Sequence, residues 1–289
     1  MCIQILYIKT QRNIKGLDVR IMTKEEMFGL AGEPAQIASE HDLLIETCAE
    51  QIDSTESGQK MIHNFEEFCK ELSECGFSMG GGNAKGIYAI IPYDWKRQEG
   101  IETPVKWHTG DPKTDPWEWR MRVLEERDDI AYAKIFFKTS GFIAKEWYPY
   151  FYAVRRHGES FEEAYDNGTI SQTAKRIYEI ISDGEIPFHE IKQVGYFRRE
   201  DNADFERAIV ELQMNMFITM CGRAQKVNKY GEAYGWSSTV FTTVEDFWEK
   251  RGMILPDLDP KESFEKIREQ ILRLNPEAER KKIEKFIRG

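Results

Sequence analysis

Residues 160–248 contain the pattern that most constrains the fold of this chain. Segments with one apolar face, which we predict as helices, are followed by two short polar-apolar runs joined by a glycine-containing turn. Ser171 can cap the longer of the first helices and Gly184 can end it, while Pro187 lies near the start of the next. The last helix is expected to be buried through Phe205, Ile209, Leu212 and Met216.

Three helices followed by a two-stranded hairpin is the element order of a winged helix-turn-helix module. We therefore predict a winged-helix-like domain over residues 160–252. The alternative is an α+β lobe with the same elements and no role in DNA binding, because a fold does not by itself determine a function.

The other parts of the chain differ in composition. Residues 1–57 hold five basic and ten acidic side chains and predict an acidic N-terminal helical extension, with two short helices after a brief strand. Residues 58–159 predict an aromatic-rich helical subdomain, with a helix from about Trp117 to Glu126. Residues 253–289 predict a helical tail whose apolar stripe packs on the body or, alternatively, forms a dimer. The expected fold class is α+β and mostly helical, and the oligomeric state stays open.

The composition argues against a membrane protein or a disulfide-rich secreted protein. No run of about 18 apolar residues exists, and the first residues lack the features of a signal peptide. The five cysteines are an odd number and form no CxxC pair, which indicates reduced thiols and a cytoplasmic location. None of the five histidines lies in an HxH, HxxxH or HExxH motif, so we predict neither a metal site nor a cofactor.

An unusual aromatic stretch, WHTGDPKTDPWEWR, spans residues 107–120. Its two Asp-Pro pairs predict a rigid turn, and Asp115 is suited to cap a helix that begins with Pro116. Other polar and aromatic residues here lack such an explanation, and a Trp beside a His could stack on a base or another flat ring. These candidate binding residues are Trp107, His108, Asp111 and Glu118.

The net charge of −10 means that any DNA-binding interpretation requires a local basic surface. The last helix of the winged-helix candidate carries more acidic than basic side chains, so it is a poor reader of the major groove. The hairpin and the segment before this helix supply basic residues that could contact phosphates, although a solvated hairpin explains them equally well. These residues are Arg198, Arg199, Arg223, Lys226 and Lys229.

Three stretches together resemble the AlkZ-related proteins, which are remote relatives of the AlkZ and YcaQ DNA glycosylases. They are residues 107–151, ELQMNMFITMCGRAQK and YGWSSTVFTT, and the resemblance covers roughly residues 63–250. It implies a winged-helix architecture, duplex DNA as the partner and repair of alkylated bases by hydrolysis of the N-glycosidic bond.

The resemblance also implies a catalytic pair, because those glycosylases position water with a Gln-apolar-Gln or Gln-apolar-Asp motif. The match here is Gln51-Ile52-Asp53, in the acidic N-terminal part, which makes Gln51 and Asp53 the catalytic candidates. Gln213-Met214-Asn215 is a near match in the last helix of the winged-helix candidate. The alternative is a non-catalytic regulatory protein that reuses the fold to bind a small molecule or a protein.

Overall fold

A computed structural model describes residues 8–13, 16–21, 61–81, 83–91, 104–228 and 230–289, the first two ranges by their backbone alone. The chain divides into two compact units, residues 1–60 and 61–289. In the first unit, β1 (Ile8–Asn13) and β2 (Gly16–Ile21) pair antiparallel, with Ile8 opposite Ile21. The helices predicted within residues 1–57 lie outside the described residues.

The first part of the second unit combines three helices with a three-stranded antiparallel sheet, in the strand order β3-β5-β4. Gly76 ends the first helix in the left-handed region (φ 90°), and a Cβ there would lie 2.3 Å from the Trp147 ring, so only glycine fits. The elements are α1 (Phe65–Cys75), β3 (Phe77–Met79), α2 (Pro116–Glu126), β4 (Ile130–Phe136), β5 (Thr139–Ala144) and α3 (Tyr148–Arg156).

The sheet is a correction to the prediction of a helical subdomain. Of the seven residues of β4, six are buried, so the strand lacks the alternation of polar and apolar residues that identifies a half-exposed strand. The apolar segment 87–93, IYAIIPY, predicts a short strand but is not assigned to one over its described residues, although the amide of Met79 donates to the carbonyl of Tyr88 at 3.0 Å.

The predicted succession of helices and hairpin in residues 160–252 is confirmed, with one further short strand. The Ser171 hydroxyl accepts a hydrogen bond from the Ala174 amide at 3.2 Å, as expected of a cap. The strands form a second antiparallel sheet in the order β6-β8-β7. The elements are α4 (Phe161–Asp166), α5 (Gln172–Ile181), β6 (Ile186–Pro187), α6 (Phe188–Val194), α7 (Asn202–Met214), β7 (Ile218–Ala224) and β8 (Ser238–Thr243).

The tail packs on the body of the second unit, as the first of the two predicted alternatives requires. It follows α8 (Val244–Glu249) and consists of α9 (Pro260–Leu274) and α10 (Arg280–Arg288). Ile267 and Ile271 of α9 are fully buried, and the Phe286 ring stacks on Phe136 with centroids 3.9 Å apart.

A buried arginine fixes the end of this tail. The Arg155 guanidinium donates to the carbonyls of Phe286 and Ile287 at 2.8 and 2.9 Å, and to those of Ile135 and Met214 at 2.7 Å. Burial lowers the pKa of Arg155 to about 9. The last carbonyls of two helices are thereby satisfied by one side chain.

Candidate functional site

The carboxylate of Asp115 organises the aromatic loop, which we define as residues 104–115. The side chain is fully buried, and its oxygens accept hydrogen bonds from three backbone amides. Oδ1 bonds the amides of His108 and Trp117 at 3.0 and 2.8 Å, and Oδ2 bonds that of Gly110 at 2.9 Å. The predicted cap at Asp115 and the predicted helix start at Pro116 are both confirmed. One side chain thus fixes the loop to the first turn of α2.

Asp111 has a structural role within the same loop. Its carboxylate accepts hydrogen bonds from the Lys113 amide at 3.0 Å and from the Thr114 hydroxyl at 2.9 Å. These bonds, the backbone bond first, lower the pKa of Asp111. The side chain is exposed and its bonds close a tight turn, so the geometry explains this residue without a ligand.

The rings of the loop lie beside a guanidinium. The His108 ring lies 4.9 Å from that of Trp117, and the Arg120 guanidinium carbon lies 3.7 Å from the Trp117 ring centre. Trp107 is 6.3 Å from His108, ring centre to ring centre. His108 adopts a positive φ of 60°, which the hydrogen bond to Asp115 supports. Trp107 and His108, which the sequence proposes as binding residues, thus lie in one aromatic cluster with Trp117.

A cavity of about 210 Å³ lies between this cluster and the first three-stranded sheet. We call it the aromatic cavity. The indole Nε1 of Trp107 is buried and has no hydrogen-bond acceptor among the described residues. Sequence reasoning selected Trp107 but not Trp117 or Arg120 of the same stretch, and it missed the remaining walls because they come from distant segments without a common motif. The principal side chains of the wall are Phe68, Trp107, Trp117, Arg120, Tyr132 and Phe142.

Glu118 does not line this cavity but pairs with another predicted residue. Nη1 of Arg223 lies 3.2 Å from Oε2 of Glu118, and Nε of Arg223 lies 2.9 Å from Oε1 of Glu125. Glu118 of the aromatic stretch and Arg223 of the hairpin, both predicted binding residues, therefore form an ion pair that links α2 to β7.

The hairpin that joins β7 to β8 exposes large aromatic side chains. We define the hairpin tip as residues 225–237, of which Lys229 lies outside the described residues. Trp236 is 90% exposed, Tyr230 75% and Tyr234 52%. The tip has local order, because the Tyr234 amide donates to the carbonyl of Lys226 at 3.0 Å. Lys226 is partly buried.

Arg198 and Arg199 lie in the segment between α6 and α7, and both are exposed. The Arg198 backbone amide donates to Asp201 at 2.8 Å, while its guanidinium is 3.9 Å from Glu200. Tyr196, which sequence reasoning did not select, is 87% exposed in the same segment. This segment and the hairpin tip are the two places in residues 160–252 where basic and exposed aromatic side chains occur together.

The structure describes the near match Gln213 but not the two residues predicted to be catalytic. Gln51 and Asp53 lie outside the described residues. The near match Gln213 is fully buried, with Oε1 accepting from the Lys134 amide and Nε2 donating to the Ile209 carbonyl, both at 2.9 Å. Its amide group is occupied by the backbone and has no contact with solvent water, so it connects α7 to β4 instead of activating a nucleophile.

The part of the chain that the structure describes contains no group of three or more His, Cys, Asp or Glu side chains that could hold a metal ion. No helix there is both long and apolar enough to cross a membrane.

Comparisons with known proteins identify the family. No curated protein matches the sequence. A solved structure that resembles it is Streptomyces sahachiroi DNA glycosylase AlkZ, at 10% identity and a TM-score of 0.33, over 60% of this chain and 50% of that one. The chain thus spans about half the length of that protein. The family model described as AlkZ related matches residues 62–288, so the chain belongs to the AlkZ-related family.

Proposed function

We propose that this protein binds DNA through a winged-helix module formed by residues 160–252. The order α5, β6, α6, α7, β7, β8, with the strand order β6-β8-β7, supports this interpretation because a helix-turn-helix followed by a hairpin is the winged-helix arrangement. Membership of the AlkZ-related family agrees with DNA as the partner.

The exposure of Trp236 at the hairpin tip is the observation that carries the proposal. A tryptophan that is 90% exposed gains nothing from burial in the folded chain, and Tyr230 and Tyr234 are exposed beside it. Aromatic side chains of this kind stack on bases or insert between base steps. Lys226 and Lys229 are close to them in sequence and supply charges for phosphate contacts.

The hairpin, not α7, is the proposed contact element. Asp204 and Glu206 are on the exposed face of α7, and the guanidinium of Arg207 on that face is bound to Asp204. A face of this kind repels phosphates and offers few donors to base edges. We therefore expect binding that depends strongly on salt and weakly on base sequence.

The test compares DNA affinity of the wild type, Trp236→Ala and Ile254→Ala by fluorescence anisotropy with a labelled duplex. Ile254 is a matched control because it is 87% exposed and lies outside the hairpin. Loss of one stacking contact of about 1–3 kcal/mol in Trp236→Ala should weaken DNA binding roughly 5- to 150-fold. Wild-type affinity should fall as salt rises from about 50 to 200 mM. Binding that is absent at low salt, or equal in the wild type and Trp236→Ala, would refute the proposal.

Excision of alkylated bases is a separate hypothesis, for which the sequence supplies Gln51 and Asp53. Hydrolysis of the glycosidic bond requires a group that positions and deprotonates water. Under this hypothesis the protein releases free base from DNA that contains 7-methylguanine, and Asp53→Asn abolishes the release while DNA affinity is retained. Mass spectrometry of the released base distinguishes a binding protein from an enzyme.

A second candidate function is that of a non-catalytic regulatory protein that binds a small molecule or a protein. The net charge of −10 and the acidic face of α7 favour it. A metabolite panel that raises the melting temperature, with no response to duplex DNA, would support this candidate over the first.

A further inference from the structure

We infer that the aromatic cavity binds a small planar aromatic molecule that carries one anionic group. The inference goes beyond DNA binding by the hairpin and does not depend on it, because the cavity is formed by residues before position 160.

The size and walls of the cavity fit a flat ring system. Its volume of about 210 Å³ is larger than the apolar cavity of about 150 Å³ that is known to bind benzene. The Phe142 ring contacts those of Phe68 and Tyr132, with centroids 5.1 and 4.8 Å apart, so the walls support one another. Walls of this composition favour aromatic ligands over aliphatic ones of equal size.

The aromatic loop is fixed before any ligand arrives. The three amides that bond Asp115 belong to the loop and to Trp117, so the backbone beside both Trp107 and Trp117 is held in place. A site with fixed walls loses less conformational entropy when it binds.

A donor beside the cavity lacks a partner. The Nε1 atom of Trp107 is buried without an acceptor among the described residues, which is an unfavourable state for an N–H group. An acceptor atom on a ligand would satisfy it.

Arg120 provides the charge that selects an anion. Its Nε donates to the Trp117 carbonyl at 2.8 Å, and within the described part of the chain no carboxylate pairs with its guanidinium. Arg122, two residues later, differs because Glu126 holds it at 2.7 Å. An arginine on a cavity wall without a carboxylate partner is suited to bind a carboxylate or phosphate group.

The experiment uses 2-naphthoate as the probe, with two comparators of the same size class. The full-length protein is labelled with ¹⁵N in its tryptophan indoles and titrated, and calorimetry gives the affinities. We expect 2-naphthoate to shift the indole N–H signals of Trp107 and Trp117. Neutral 2-naphthamide should bind about tenfold more weakly because it lacks the charge-assisted bond. Decahydronaphthalene-2-carboxylate, which has the same carbon skeleton but no flat ring, should bind more weakly than 2-naphthoate.

Variants assign the effect to the proposed residues. Arg120→Gln should lower the affinity for 2-naphthoate to that for the amide, whereas Arg120→Lys should retain part of the difference. Arg280→Gln, which removes a 91% exposed charge from α10, is the control and should change nothing. Melting temperatures verify that each variant is folded.

The inference is overturned if neither indole signal shifts at about 5 mM 2-naphthoate, or if the acid and the amide bind equally. It is also overturned if folded Arg120→Gln binds 2-naphthoate as the wild type does. Trp236→Ala should leave 2-naphthoate binding unchanged, so failure of the DNA proposal and failure of this inference give different results.

Discussion

The guanidinium of Arg223 lies between the carboxylates of Glu118 and Glu125, with Nη1 3.2 Å from Oε2 of Glu118. This contact joins the helix whose first turn lines the aromatic cavity to the strand that leads into the hairpin tip. Because two carboxylates already neutralise Arg223, it is less available to phosphates than its position in the hairpin suggests.

Arg223→Gln should therefore have small effects. The pairs are partly exposed, so the free energy of unfolding should fall by less than about 1 kcal/mol. DNA affinity should fall less than in Trp236→Ala, since few phosphate contacts are lost. Urea denaturation and anisotropy measure the two effects, and an affinity loss equal to that of Trp236→Ala would show that Arg223 leaves its carboxylates to bind DNA.

Asp115→Ala should be much more damaging. It removes the cap of α2 and leaves the amides of His108 and Gly110 without their acceptor, at a combined cost of about 2–4 kcal/mol. Asp111→Ala is the matched control, because its exposed carboxylate bonds only groups within the same turn. Urea denaturation compares the two variants, and equal losses would contradict the central role of Asp115 in the loop.

The described cysteines should be unreactive in the folded protein. Burial raises the pKa of Cys69, Cys75 and Cys221 to about 12 from the ordinary 9.0, so their thiols stay protonated. Mass spectrometry after iodoacetamide treatment at about pH 8 should find these residues alkylated only when urea is added. Rapid alkylation of any of them without urea would show that its thiol is accessible.

The same shifts predict a loss of stability in alkali. Each thiol has a higher pKa in the folded state than in the unfolded chain, so its contribution to the free energy of unfolding is complete below the ordinary pKa of 9.0. This contribution is lost as the pH rises toward about 12, because the unfolded chain releases its thiol protons at a lower pH than the folded chain does. The urea midpoint should therefore decrease above about pH 9, and Cys69→Ala should make the decrease shallower.

The local features of this fold could be predicted from the sequence, whereas its long-range contacts could not. The predicted caps at Asp115 and Ser171 were correct, because each depends on the backbone within a few residues. Strands β4 and β5 were missed because burial on both faces removes the period of two that marks a strand.

The candidate site shows the same difference between local features, which the sequence predicts, and long-range contacts, which it does not. Trp107 and His108 were selected as binding residues because they are adjacent in an unusual stretch. Arg120 of the same stretch was not selected, and Phe142 was missed because only tertiary packing brings it to the cavity. The sequence likewise could not show that Arg223 is neutralised by residues about one hundred positions earlier.

Gln213 provides the last test, because sequence and geometry give it opposite roles. If it positioned a catalytic water, Gln213→Ala would lose activity and keep its stability. The geometry predicts the reverse, since the substitution leaves the Lys134 amide without an acceptor and opens space in the core. We expect a loss of about 2–4 kcal/mol in the free energy of unfolding. Asn215→Ala, which removes a side chain bonded only to the carbonyl of Glu211, is the control and should cost less than about 1 kcal/mol. A fully stable Gln213→Ala would show that this amide does not hold α7 against β4.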